Sequence, residues 1–192
     1  MASIKPLRVL GIVGSPRRGG NTESLVDEVL RGARDAGAVV EKVRLSELAI
    51  APCDACDACR EAGECVLGDD MPALLEKMAA SQVWVLGTPV YWWGPSAQFK
   101  LFVDRWYAKA HRDEDKAMFR DRRVIAAIPF GDEDPATARH LQGMLEDALD
   151  YVGATIHSTL LVPGVDDPRG VLSRPEVLAA AYSAGRAAVT SR

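Results

Sequence analysis

Residues 8–25 read RVLGIVGSPRRGGNTESL, and this stretch decides the fold. Its first seven residues are a short β-rich run that ends in glycine. A polar loop follows. Asn21 or Thr22 can then cap a helix whose apolar positions Leu25, Val26, Val29, Leu30 and Ala33 recur at spacings of three and four. Strand, loop and helix in that order open an α/β unit. The alternation continues outward. Residues 39–45 (VVEKVRL) read as a second strand, after Gly37 ends the first helix. A helix starts near Met71, with Asp69 and Asp70 as caps and Pro72 in the first turn, where a missing N–H costs little. Residues 82–93 begin as a buried strand and end in a loop at Thr88-Pro89. A helix over residues 96–108 carries Phe99, Phe102, Val103 and Trp106 on one side. Strands at 122–130 and 154–162 and helices at 135–151 and 175–189 complete the chain. Several strands are continuous apolar runs, as expected for a parallel sheet covered on both faces. The pattern predicts a doubly wound three-layer fold in one domain, residues 1–192, with a cysteine-rich loop at 52–70.

The composition agrees. A chain of 192 residues with 48 % hydrophobic side chains can bury one substantial core. Basic residues number 23 and acidic ones 27, for a net charge of −4, so no basic field is available for nucleic acid. No apolar stretch approaches the roughly 20 residues needed to cross a bilayer. The first apolar run is too short and glycine-rich for a secretory signal, and Arg17-Arg18 follows it at once. The expected location is therefore the cytoplasm, where thiols stay reduced for metal or redox work.

Ligands of doubly wound folds bind beyond the carboxyl ends of the strands, where the strand order reverses. The loops after strands one, three and four are the ones to inspect. The first, GSPRRGGNTESL (14–25), lacks both the lysine-serine ending of a Walker loop and the spacing of a dinucleotide fingerprint. Ser15, Asn21 and Thr22 can donate hydrogen bonds to a terminal phosphate, Arg17 adds charge, and free N–H groups line the helix start. A capped, solvated turn would use the same residues. In the third loop, Pro89 stiffens the chain and Tyr91, Trp92 and Trp93 offer apolar surface to a planar heterocycle. Gly94 and Pro95 then turn the chain. One of Trp92 and Trp93 is expected to pack in the core or at a subunit interface. Gly131, after strand four, could close the far side of the pocket. His111, His140 and His157 are dispersed and pair with no nucleophile, and Asp166-Asp167 reads as solvated.

All four cysteines lie in PCDACDACREAGECVLGDDM, residues 52–71, as Cys53-x2-Cys56-x2-Cys59-x5-Cys65. Four local thiolates could saturate one cubane or hold zinc, and Gly63 could bend the chain to return Cys65 to the others. An empty set of reduced or reversibly oxidised thiols stays equally open.

The segments GSPRRGGNT, TPVYWWGPSAQFKLFVDR and CDACDACREAGECVLGDDM resemble the NAD(P)H-dependent FMN reductase and iron–sulfur flavoprotein family, in order and spacing across essentially the whole chain. The resemblance implies a flavodoxin-like fold with a five-stranded parallel sheet in the order 2-1-3-4-5, and dimers or tetramers. It implies that Ser15, Arg17, Asn21 and Thr22 hold the phosphate of FMN. Pro89, Val90, Tyr91, Trp92, Trp93, Gly94 and Gly131 would line its ribityl chain and ring. Trp93 is bulky against the family pattern and narrows the approach to the ring. NAD(P)H would reduce the flavin, which would pass electrons to a quinone, a flavin or a similar acceptor, with no strictly catalytic side chain required. An alternative is a flavoprotein whose FMN and [4Fe–4S] cluster exchange electrons with a ferredoxin-like partner. Another is a noncatalytic module that uses the loop for zinc.

Overall fold

The computed structural model describes residues 6–191. Five strands, β1 (Arg8–Val13), β2 (Val39–Arg44), β3 (Val83–Gly87), β4 (Arg123–Pro129) and β5 (Thr155–Val162), form one sheet. All neighbours are parallel and the order is β2-β1-β3-β4-β5, as expected. The order reverses between β1 and β3, so the loops leaving their carboxyl ends part and open a crevice.

Among the described residues seven α-helices accompany the sheet: α1 (Asn21–Asp35), α2 (Ala58–Ala62), α3 (Met71–Ala79), α4 (Ala97–Asp104), α5 (Asp113–Lys116), α6 (Arg139–Val152) and α7 (Pro175–Thr190). Successive strand residues point to opposite faces, and each face has its own core. Val9, Val13, Val83, Val85 and Ile125 pack with Leu25, Val26 and Val29 of α1 and Ala181 and Ala188 of α7. Leu10, Ile12, Trp84, Leu86 and Val124 pack with Leu74 and Met78 of α3, Phe99 and Phe102 of α4, and Leu141 and Leu145 of α6. The result is the three-layer α/β arrangement predicted from the apolar runs. No helix among the described residues is long and apolar enough to cross a membrane.

The element ends depart from expectation in three places. The residue before α1 is Gly20, and neither Asn21 nor Thr22 caps the helix with its side chain. At α3 the cap position is Asp70, but its carboxylate accepts from Ala49 N at 2.7 Å, while Asp69 Oδ1 takes the Met71 N–H at 3.0 Å. The helix expected over 96–108 ends at Asp104 and tightens into a 3₁₀ turn over Arg105–Lys109. The short α2 and α5 escape a periodicity reading because one turn of helix carries no stripe.

On the first face, α1 and α7 touch backbone to backbone. A Cβ built on Gly185 would lie 1.9 Å from Val29 O, and one on Gly32 would lie 2.0 Å from Tyr182 O. These two glycines let the helices meet at a separation that no side chain permits.

Candidate functional site

Two loops leave the switch point and are bolted together by buried groups. Gly14 N donates to Gly87 O at 2.7 Å, which extends the β1–β3 pairing one residue past the strands. Ser96, fully buried, caps α4 by accepting from Phe99 N at 3.2 Å and donates its hydroxyl proton to Gly14 O at 2.5 Å. Thr88, also fully buried, accepts from Ser96 N at 3.1 Å and so closes the 88–96 loop at its neck. Sequence reading gave Thr88 and Ser96 no place in the site. The signal was a hydroxyl residue at each end of an aromatic, proline-bounded loop.

Above this neck lies a cavity of about 250 Å³, lined by Ser15, Arg17, Asn21, Thr22, Pro89, Val90, Tyr91, Pro129, Phe130, Gly131, Val165 and Asp166. The loops after β1, β3 and β4 meet there, together with that after β5, which was not among the loops singled out. Ser15 and Thr22 are buried, Arg17 is exposed, and no side chain caps the start of α1. Asn21 is the exception among the phosphate candidates. Its amide donates to Val165 O at 3.1 Å and to Asp167 O at 2.7 Å, and its Oδ1 accepts from Val171 N at 3.0 Å. Both amide protons are thus engaged in clamping the β5–α7 connection onto the first loop.

A second cavity of about 210 Å³ adjoins the first through Val90, Phe130 and Gly131, and Trp92, Trp93, Asp132 and Thr137 complete it. Neither Trp92 nor Trp93 joins the core of this chain. Trp92 is 90 % exposed and Trp93 49 %, so of the two expected places, core or subunit interface, the core of this chain holds neither. Both occupy the left-handed region, with φ of 50° and 61°. Tyr91 and Gly94 exchange backbone hydrogen bonds at 2.8 and 3.0 Å, so the two tryptophans are the central pair of a tight hairpin turn. Asn-Gly is the favoured pair there, because bulky side chains resist positive φ. Replacing Trp92 by Asn is therefore expected to raise stability by about 1 kcal/mol in urea unfolding, since that indole is almost fully exposed and little buried surface is lost. A lower denaturation midpoint would show that the indole holds the turn.

Behind the first loop, Glu23 is an ionic hub. Its carboxylate accepts from Gly19 N at 2.7 Å and from Lys42 Nζ at 2.9 Å, and it pairs with Arg44. Burial pushes the carboxyl upward, but hydrogen bonds from Lys42, Gly19 and Arg44 hold it down at about 2, from an ordinary 4.5. A depressed carboxyl stabilises the fold above its unfolded value, and this contribution fades as pH falls from about 4.5 toward 2. Glu23→Gln should cost about 3 kcal/mol near neutrality and flatten the acid limb of a stability–pH curve. A variant whose acid limb keeps the parent's slope would assign that limb to other carboxylates.

The four thiols do not converge. Cys53 and Cys56 are exposed, Cys65 is half-buried and Cys59 is buried. Among the described residues no three His, Cys, Asp or Glu side chains gather in a way that could hold a metal ion. Ala55 and Asp57 both take positive φ, of 57° and 59°, and Gly63 turns the chain after α2. Burial and the neighbouring thiols push the Cys59 thiol up. The loop is fixed by Arg105, only 1 % exposed, which donates to Cys65 Sγ at 3.3 Å, to Ala51 O at 2.9 Å and to Asp69 at 2.5 Å. Sequence reading assigned Arg105 nothing. It falls three residues after Phe102, on the apolar stripe of its helix, and a charge on such a stripe is the signal of a buried partner.

The model of a family described as NADPH-dependent FMN reductase matches residues 7–164. An iron-sulfur flavoprotein of Methanocaldococcus jannaschii is 41 % identical over 99 residues, 52 % of this chain and 51 % of that one. An iron-sulfur flavoprotein of Archaeoglobus fulgidus is 36 % identical over 121 residues, 63 % of this chain and 55 % of that one. The chain spans about half the length of these curated relatives. Among solved structures, an NAD(P)H:quinone oxidoreductase from Methanothermobacter marburgensis superposes with a TM-score of 0.74 at 20 % identity, over 95 % of this chain and 97 % of that one. At that identity the likeness is one of fold.

Proposed function

Since the chain belongs to the NADPH-dependent FMN reductase family, we propose that it is an FMN-dependent NAD(P)H oxidoreductase that delivers electrons to a quinone, a flavin or a similar flat acceptor. The observation that carries this reading is the convergence of the 15–22 and 89–94 loops on one cavity at the sheet's switch point. The residues fit the nucleotide. Ser15, Thr22 and the uncapped N–H groups of α1 supply donors for a phosphate, and Arg17 supplies charge. Asn21 serves the phosphate by holding the loop. Pro89, Val90 and Tyr91 offer mixed surface for the ribityl chain and ring. Trp92 and Trp93 border the approach to the ring, Gly94 lines neither cavity and serves by closing their turn against Tyr91, and Phe130 and Gly131 close the far wall. FMN held there would supply the hydride-transfer chemistry. The chain's own part is to bind, to orient and to keep water from the ring, and no side chain is required as acid or base.

Dimers or tetramers and a cytoplasmic location belong to the same reading, supported by the sequence resemblance and by the exposed Tyr91–Trp93 surface. Purified protein loaded with FMN should oxidise NADH or NADPH anaerobically with menadione as acceptor. FMN-loaded protein that neither nucleotide reduces would sink the proposal.

A second reading is an iron–sulfur flavoprotein that exchanges electrons with a ferredoxin-like partner. It is favoured by two relatives that bear that description. The thiols as arranged do not fit a [4Fe–4S] cluster, because among the described residues no three of them gather so as to hold a metal. The same dispersal weighs against a noncatalytic zinc module. Iron, acid-labile sulfide and zinc assayed on anaerobically isolated protein decide between occupied and empty thiols.

A further inference from the structure

We propose that the ionic network behind the first loop, centred on Glu23 and Arg44, is a charge-compensated brace that sets the loop's affinity for a phosphomonoester, with Arg44 as its positioning residue. The inference rests on the reading that residues 15–22 receive the phosphate of FMN.

The loop faces two demands that conflict. Its turn needs an acceptor for the Gly19 N–H, at a residue with φ of +62°, and Glu23 in the first turn of α1 is that acceptor. This fixes the Gly19–Gly20 turn that leads into α1. Yet a carboxylate in the first turn would repel the phosphate dianion that the turn is shaped to receive. The structure resolves the conflict from the neighbouring strand. Lys42 and Arg44 of β2 both reach Glu23, Lys42 also binds Asp27 at 2.8 Å, and Glu47 is shared by Arg44 at 3.0 Å and Arg18 at 2.8 Å. Three acids meet three bases, so the network is neutral, and Arg17 with the helix dipole keeps the loop net positive toward the cavity.

Arg44 is the critical member. It is 8 % exposed, and its Nη2 is buried with no hydrogen-bond partner. Because the network is balanced, removing the Arg44 guanidinium would leave a net negative charge directly behind the loop. Such a charge would oppose a ligand that arrives as a dianion, and the unpartnered Nη2 shows that packing alone does not explain why a guanidinium is kept there. None of Glu23, Lys42 and Arg44 lines the cavity, so they act through the loop and not by touching the ligand.

The test compares FMN with riboflavin, which lacks the phosphate, by fluorescence quenching on deflavinated protein. The parent should prefer FMN. Arg44→Met should weaken FMN about tenfold or more and riboflavin less than about twofold, and Arg44→Lys should recover most of the loss. If Arg44→Met weakens both flavins equally, or neither, the proposal is overturned, because a purely structural part does not distinguish them. If Arg44→Met does not fold, Lys42→Met carries the test, since that head group is partly exposed. About a threefold loss for FMN alone supports the brace, and no selective loss overturns it. A parent that binds the two flavins alike would overturn the phosphate-loop reading itself, and the brace with it.

Discussion

Replacing Arg105 by methionine should destabilise the protein by about 3–5 kcal/mol, a fall in midpoint temperature of roughly 10 °C for a chain of this size. The guanidinium is almost wholly buried and holds three partners that come from one loop. Its Nη1 donates to Ala51 O and to Asp69 Oδ2, and its Nη2 to Asp69 Oδ1 at 3.2 Å and to Cys65 Sγ. Asp69 in turn accepts from Ala51 N and Met71 N, both at 3.0 Å. Burial raises the Asp69 carboxyl, but Arg105 and these two N–H groups bring it below the ordinary value. Methionine would fill the space of the stem but leave a buried carboxylate with its countercharge gone. That orphaned charge, more than the lost pair, is the source of the cost. A second effect separates this account from simple loss of packing. Without Arg105 the 52–70 loop loses its only described buried cation, so Cys59 should react with a thiol reagent far faster than in the parent. Unchanged protection of Cys59 in a folded Arg105→Met protein would show that the loop is held by something else.

Gly185→Ala should cost about 2–3 kcal/mol even though alanine is the better helix former by about 1 kcal/mol. The added methyl would meet the carbonyl oxygen of Val29 and, at 3.0 Å, the amide nitrogen of Ala33. Backbone atoms inside a helix cannot step aside as a flexible side-chain tip can, so α7 must move away from α1. That movement would also loosen the stacking of Arg31 on the Tyr182 ring, 4.2 Å from its centroid, and the bond from Tyr182 to Asp35 at 2.9 Å. Gly143 gives the internal control. A Cβ there meets nothing within 4 Å, so Gly143→Ala should be neutral or stabilising in the same chemical-denaturation series. Equal behaviour of the two variants would refute close helix approach as the role of Gly185.

The parts of this molecule that sequence could specify are those whose physics is local or periodic. Continuous apolar runs announced β1, β3 and β4, because a strand buried on both faces needs them. The segments 15–22 and 89–94 announced a shared cavity, because a switch point brings successive βα loops together. Three kinds of information were missing. Asn21 reads as a cap in sequence, but its partners lie 144 to 150 residues away. Trp92 and Trp93 read by size as residues for a core or an interface, and only the dihedral angles show that the turn keeps both out of this chain's core. The cysteine spacing left a thiolate cage and an empty thiol set equally open, because the course of the loop depends on left-handed residues at Ala55 and Asp57 that their identities do not advertise.

The Asn21 clamp also has a consequence in time. Residue 21 leaves the ribosome early, whereas Val165, Asp167 and Val171 are made near the end of synthesis. At ordinary elongation rates that interval is roughly 7–30 seconds. Through it, a nascent chain can pair β1 with β3 while its first loop still lacks the Asn21 clamp to the β5–α7 connection. The ligand cavity is therefore among the last features to mature, and premature termination ahead of residue 165 would yield most of a sheet with no finished place for a cofactor.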